Sequence, residues 1–151
     1  MDTLTAQSVR DVETAPLILL VEDFEDAREM YRDFLEFAGF RVRTARDGRE
    51  AIDLARLLRP DLILMDLALP GIDGWEATRL LKQDPLTASV PILALSAHAL
   101  PAEGKRARDV GCDGFIAKPC LPNDLVTEIA QFLKLESATT TRARRSRARR
   151  R

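Results

Sequence analysis

Residues 61–71 read DLILMDLALPG. Six of the first nine are Leu, Ile or Met, and Asp66 stands among them. A carboxylate inside a run suited to burial is costly unless something pairs with it. The stretch LILMD at 62–66 is apolar without alternation, as in a strand covered on both faces. Two further runs have the same character, LILLVE at 17–22 and PILALS at 91–96.

Working outward from these runs, the spacing changes to that of helices. Ala27, Met30, Tyr31, Phe34, Leu35 and Ala38 recur at helical intervals, and Gly39 ends that segment. RVRTA at 41–45 is a polar strand suited to a sheet edge, and the Asp47-Gly48 pair after it signals a turn. Ala51, Ile52, Ala55, Leu57 and Leu58 predict a second helix, stopped by Pro60. Pro70, Gly71 and Gly74 mark a loop, and 75–83 reads as a third helix. A helix of mixed polarity follows near 101–110, then a short strand in GFIAKP at 114–119. A closing amphipathic helix over 122–135 carries Leu125, Val126, Ile129, Phe132 and Leu133 on one face. Five β–α units in strict alternation predict an α/β fold, a doubly wound parallel sheet with helices on both sides.

Composition narrows the class. The 151 residues are 46% apolar and 31% charged, which suits one soluble domain with a real core. No run approaches the ~18 apolar residues of a membrane span. The first residues, MDTLTAQSVRDVETAP, are polar and acidic and do not resemble an export signal, so a cytoplasmic, reducing location is expected. Cys112 and Cys120 lack metal-type spacing and read as free thiols. The net charge of −1 conceals an asymmetry: residues 137–151 hold seven Arg and no acid, leaving a net charge of −8 in 1–136. The expected organisation is a flexible extension at 1–15, a domain at 16–135 and a disordered Arg-rich tail at 136–151.

Doubly wound sheets bind ligands beyond the carboxyl ends of their strands, where strand order reverses. The first apolar run ends in Glu22-Asp23, the second in Asp66, the third in Ser96, and the last strand in Lys118. Taken singly these are weak signals. Glu22-Asp23 could begin a helix, Asp66 could cap one, and Ser96 and Lys118 could be structural. Converging on one edge, they form a narrow chemistry. Clustered carboxylates need a cation, and hard oxygen ligands suit Mg²⁺. A hydroxyl and an ammonium facing that metal suit a phosphoryl group. A carboxylate between them can act as a nucleophile and form an acyl phosphate, and Asp66, in the central run, is the candidate.

With these residues in place, LILLVED, PDLILMDLALPGIDGWE, VPILALSA and GCDGFIAKP together resemble the receiver domains of two-component response regulators, over about residues 16–135. The resemblance implies a flavodoxin-like fold with strand order 2-1-3-4-5 and five flanking helices. It implies that Asp66 accepts a phosphoryl group from a histidine of a sensor kinase or a histidine phosphotransfer protein. Asp23 corresponds to the direct ligand of Mg²⁺ (or Mn²⁺), Glu22 to the acid acting through water, and the carbonyl of Ala68 to a further ligand. Ser96 and the N–H of Ala97 correspond to phosphoryl-oxygen donors, and Lys118 to the ammonium that pairs with the phosphoryl group. Pro119 corresponds to a residue following a cis peptide bond. Phe115 corresponds to the switch aromatic, here without the hydroxyl of the frequent tyrosine. Ala68 and His98 occupy positions that tune phosphoryl lifetime, and Cys120 stands where an apolar residue is usual.

The implied role is a stand-alone signalling switch rather than a turnover enzyme, limited to Mg²⁺-dependent self-phosphorylation and slow dephosphorylation. Its downstream protein would meet the face formed by the fourth helix, fifth strand and fifth helix. The alternative is a Mg²⁺-dependent phosphohydrolase with an Asp nucleophile. Such enzymes carry a second acid two residues after the nucleophile, and here that residue is Ala68. The Arg-rich tail suits contact with a polyanion. It is too short for a DNA-reading fold, so no sequence-specific DNA binding is expected.

Overall fold

A computed structural model of the chain describes residues 14–69, 71–97, 101–118 and 120–133. The expectations for residues 1–13, Pro70, His98, Pro119 and the Arg-rich tail lie outside the described residues. The elements alternate as expected: β1 Leu17–Val21, α1 Glu25–Phe37, β2 Arg41–Ala45, α2 Gly48–Leu58, β3 Leu62–Asp66, α3 Gly74–Gln83, β4 Ile92–Ser96, α4 Pro101–Val110, β5 Gly114–Ala117 and α5 Pro122–Phe132. The strands form one parallel sheet in the order β2-β1-β3-β4-β5.

The continuous apolar runs have a direct physical cause. Along β3 and β4 every residue is buried, and neighbouring residues serve opposite layers. Leu19, Val21, Ile63, Met65, Ile92 and Ala94 pack in one layer with Ala51 and Ala55 of α2, Ala77 and Leu81 of α3, and Ala107 of α4. Ile18, Leu20, Leu62, Leu64, Leu93 and Leu95 pack in the other with Tyr31 and Leu35 of α1 and Leu125 and Ile129 of α5. A strand with two dry faces has no position for a polar side chain until it ends. β2 has one exposed edge and alternates accordingly.

Several sequence expectations need correction. Leu57, counted in the apolar spacing of the second helix, is 77% exposed, and Met30, counted in that of the first, also faces outward. Helical spacing alone left their placement open, because each lies at the margin of a stripe whose centre is fixed by packing. The last strand stops at Ala117, so Lys118 lies one residue beyond it rather than within it. The Asp47-Gly48 pair does more than turn the chain, for the Asp47 carboxylate accepts from the Glu50 N–H at 2.8 Å and caps α2. Asp73 caps α3 in the same way, accepting from Glu76 N–H at 2.8 Å. Both cysteines are free thiols as expected. Cys112 is buried, which pushes its thiol up to about 11, so it stays protonated at neutral pH.

Candidate functional site

The strand register brings the predicted residues to one edge. Val21 pairs with Met65, Asp66 with Leu95, and Ser96 with Ala117. The ladder also runs one step past the strands. Glu22 N–H donates to Ala45 O at 3.0 Å, Leu67 N–H to Leu95 O at 3.1 Å, and Lys118 N–H to Ser96 O at 2.7 Å. Backbone bonds therefore fix Glu22 and Lys118 where they leave the sheet. The Arg28 guanidinium reaches back from α1 to the carbonyls of Glu22 and Asp23, at 3.1 and 3.3 Å, and ties down the end of β1.

At this edge lies an open cleft of about 610 Å³, at the point where the chain passes from one side of β1 to the other. Asp23, Asp66, Ala68, Ser96, Ala97 and Lys118 line it. Glu22 borders the same cluster from beneath, with 2% of its surface exposed. Asp66 ends β3 as expected, yet it is only 6% exposed, so its place at the strand end does not make it a solvated group. Its Oδ1 accepts from the Ala68 N–H at 2.9 Å. Lys118 Nζ donates to Glu22 Oε2 at 2.6 Å and lies 3.4 Å from Asp66 Oδ2, bridging the two acids. The carboxylate in the opening stretch thus has partners, which is what its burial requires.

The charges are unevenly matched. Burial pushes the Glu22 carboxyl above its ordinary range, and the Asp66 charge pushes the same way, more than Lys118 draws it down. Burial disfavours the Lys118 ammonium, but the hydrogen bond to Glu22 and the charges of Asp66 and Glu22 outweigh it and hold it above the usual lysine range. One carboxylate oxygen each from Glu22, Asp23 and Asp66 lie within 4.8 Å of one another. Three acids against one lysine leave this cluster short of positive charge, and all its donors are hard oxygens. That donor set fits Mg²⁺ or Mn²⁺.

Phe115 is half-buried and packs against the layer formed with α2, α3 and α4. Cys120 packs as a small hydrophobe against the α1–α5 layer. Four features of the site escaped sequence reasoning. Glu103 and Arg106 of α4 line the cleft, as does Trp75 of α3. Gly74 places the start of α3 against the backbone of Asp66. A glycine three residues after the Pro70-Gly71 pair gave one usable signal; the two α4 charges, read from sequence, look like any solvated helix face.

Comparison with known proteins matches residues 18–130 to the response regulator receiver domain. The polar-differentiation response regulator DivK of Brucella anthropi is 39% identical over 116 residues, covering 77% of this chain and 94% of that protein. The chemotaxis protein CheY4 of Vibrio cholerae superposes with a TM-score of 0.76 at 30% identity, covering 79% of this chain and 99% of that one. The receiver domain of sensor histidine kinase PA1611 from Pseudomonas aeruginosa, solved with magnesium coordinated in its active site cleft, gives a TM-score of 0.75 at 33% identity over 80% of this chain and 99% of that one.

Proposed function

This chain belongs to the response regulator receiver family, a phosphoacceptor in two-component signalling, and from that premise we propose that Asp66 is the residue that takes the phosphoryl group. The observation that carries the proposal is the Lys118 bridge between Glu22 and Asp66 beside the three-carboxylate cluster. An Asp66 oxygen attacks the phosphorus of a phosphohistidine, the phosphorus–nitrogen bond breaks, and the electron pair leaves with the donor's imidazole. Lys118 offsets the charge gathering on the transferred oxygens. Ser96 Oγ and Ala97 N–H donate to those oxygens once the group is in place.

Mg²⁺, when bound, neutralises phosphoryl charge and orients the transferred group. Asp23, Asp66 and the Ala68 carbonyl would hold it directly, with Glu22 acting through water. The donor is a sensor histidine kinase or phosphotransfer protein. Replacing one carboxylate charge by nearly two on a larger group draws Ser96 toward it, and Phe115 fills the space left. The surface of α4, β5 and α5 changes as a result and carries the signal to a partner protein. The Arg-rich tail adds a polyanion contact, and the setting is the cytoplasm; among the described residues no helix is long and apolar enough to cross a membrane. Nothing supports the phosphohydrolase alternative, since position 68 is Ala and the relatives named are signalling proteins.

Metal and pH act together on stability, which makes a direct test. A carboxyl raised above its ordinary 4.5 contributes stability that is complete below that value and lost as pH rises through the folded one. For Lys118, raised above 10.5, the contribution holds across the neutral range and is lost only at higher pH. Metal-free protein therefore loses stability from Glu22 as pH rises from 4.5 toward neutrality. Mg²⁺ at ten times its dissociation constant recovers about 1.4 kcal/mol at neutral pH. Urea unfolding with chelator or Mg²⁺, at pH 5 and 7.5, measures both effects, and Asp23→Asn removes the gain. Equal stabilisation in Asp23→Asn would place the ion elsewhere.

A further inference from the structure

Ser96 ends β4 buried, and its Oγ donates to Glu103 Oε2 at 3.1 Å. Glu103 is in the first turn of α4. One turn further along the same helix, the Arg106 guanidinium lies 4.3 Å from the centroid of the Trp75 ring at the start of α3. All four side chains line the cleft that holds Asp66 and Lys118. Helix α4 is thus tied across the cleft at two points, once to the end of β4 and once to α3.

An acid in the first turn of a helix is favoured by the helix dipole alone. That accounts for a carboxylate near 103 but not for its aim at Ser96. The consequence is competition. A hydroxyl has a single proton to donate, and a phosphoryl group on Asp66 would claim it with a larger charge than a carboxylate carries. The same phosphoryl group would repel Glu103.

We propose that Glu103 is a positioning residue that holds the Ser96 hydroxyl before phosphorylation, and that its displacement by the phosphoryl group releases the first turn of α4. This rests on Asp66 being the acceptor. Glu103 then acts as a stand-in anion. It sets how much phosphoryl binding must overcome before the switch moves, and it couples that event to α4 rather than to β4 alone. Arg106 leaves the Trp75 face as the helix turn shifts.

The test uses the full chain with Mg²⁺ and beryllofluoride, a non-covalent phosphoryl mimic. Fluorine NMR reads binding, and Trp75, the one tryptophan of the chain, reads α4 by fluorescence. Glu103→Gln keeps an acceptor oxygen but loses the charge, and it is expected to bind the mimic about tenfold more tightly than wild type. In a Ser96→Ala background the same substitution is expected to give a clearly smaller gain, from lost charge repulsion alone. Wild type should show a Trp75 change on binding that Glu103→Gln shows in part before any mimic is added. Equal affinity in Glu103→Gln and wild type, an undiminished gain without the Ser96 hydroxyl, or binding that leaves Trp75 unchanged would each overturn the latch while leaving Asp66 as acceptor. Binding that persists unchanged in Asp66→Asn, or no binding to wild type, would overturn the acceptor assignment and the latch with it.

Discussion

Lys118→Met is expected to cost about 3 kcal/mol of metal-free stability at pH 7.5, within the range for breaking a buried ion pair by removing one partner. The substitution keeps the length of the side chain and removes its charge. It leaves Glu22 and Asp66 facing each other, both almost wholly buried, without the ammonium at 2.6 and 3.4 Å that now separates their charges. Glu22 is already displaced toward its protonated form, and without Lys118 it takes up a proton more readily still. The loss should therefore shrink markedly at pH 5. Mg²⁺ should also restore stability, because it supplies a second cation. Phosphoryl acceptance should fall at least a hundredfold and stay low in Mg²⁺, since the charge that forms on the transferred group has lost its ammonium partner. Urea unfolding with and without Mg²⁺ at the two pH values, beside a phosphotransfer time course, reads all four expectations. A stability loss independent of both pH and Mg²⁺ would mean that Lys118 acts by packing alone.

Gly74→Ala should be nearly as damaging for a different reason. A Cβ at position 74 would lie 2.1 Å from the Asp66 carbonyl oxygen and 2.6 Å from Leu67 Cα. These are backbone atoms at the end of a central strand, so no side chain can swing aside to make room. Overpacking typically costs about 1–3 kcal/mol, and this contact belongs at the top of that range or above it. The strain also pushes on Asp66, one of the three clustered carboxylates, so Mg²⁺ affinity should fall together with stability. Gly104→Ala is the contrasting case. Nothing lies within 4 Å of a Cβ there, and in a helix interior Ala is favoured over Gly by up to about 1 kcal/mol. Opposite signs for the two substitutions, by thermal or urea unfolding, would show that close approach to Asp66 is what position 74 requires.

The contrast explains what was legible in the sequence. Glu22, Asp66, Ser96 and Lys118 could be named beforehand because strand ends place them, and strand ends are visible where a doubly covered apolar run stops. The parallel ladder then fixes their relative height through backbone bonds that do not depend on side-chain identity. Glu103, Arg106 and Trp75 sit on helices. Where they point is decided by how α3 and α4 lie on the sheet, which local spacing does not encode. Leu57 and Met30 show the same limit from the apolar side: at the margin of a helical stripe, the pattern fits burial or exposure equally well. Asp47 was read only as a turn residue and Asp73 not at all, although Asp-x-x-Glu at 47–50 and 73–76 is the spacing of a capped helix start.

The proposed carrier of the phosphoryl group is Asp66. The direct measurement is to phosphorylate the full chain with acetyl phosphate and Mg²⁺, reduce the acyl phosphate with borohydride to homoserine, and locate the product by mass spectrometry. Trypsin should release residues 57–79 as one peptide, holding Asp61, Asp66 and Asp73 together. Homoserine is expected at 66, none at 61 or 73, and no product in Asp66→Asn. Product at another aspartate, or an adduct that survives in Asp66→Asn, would rule out Asp66 as the carrier.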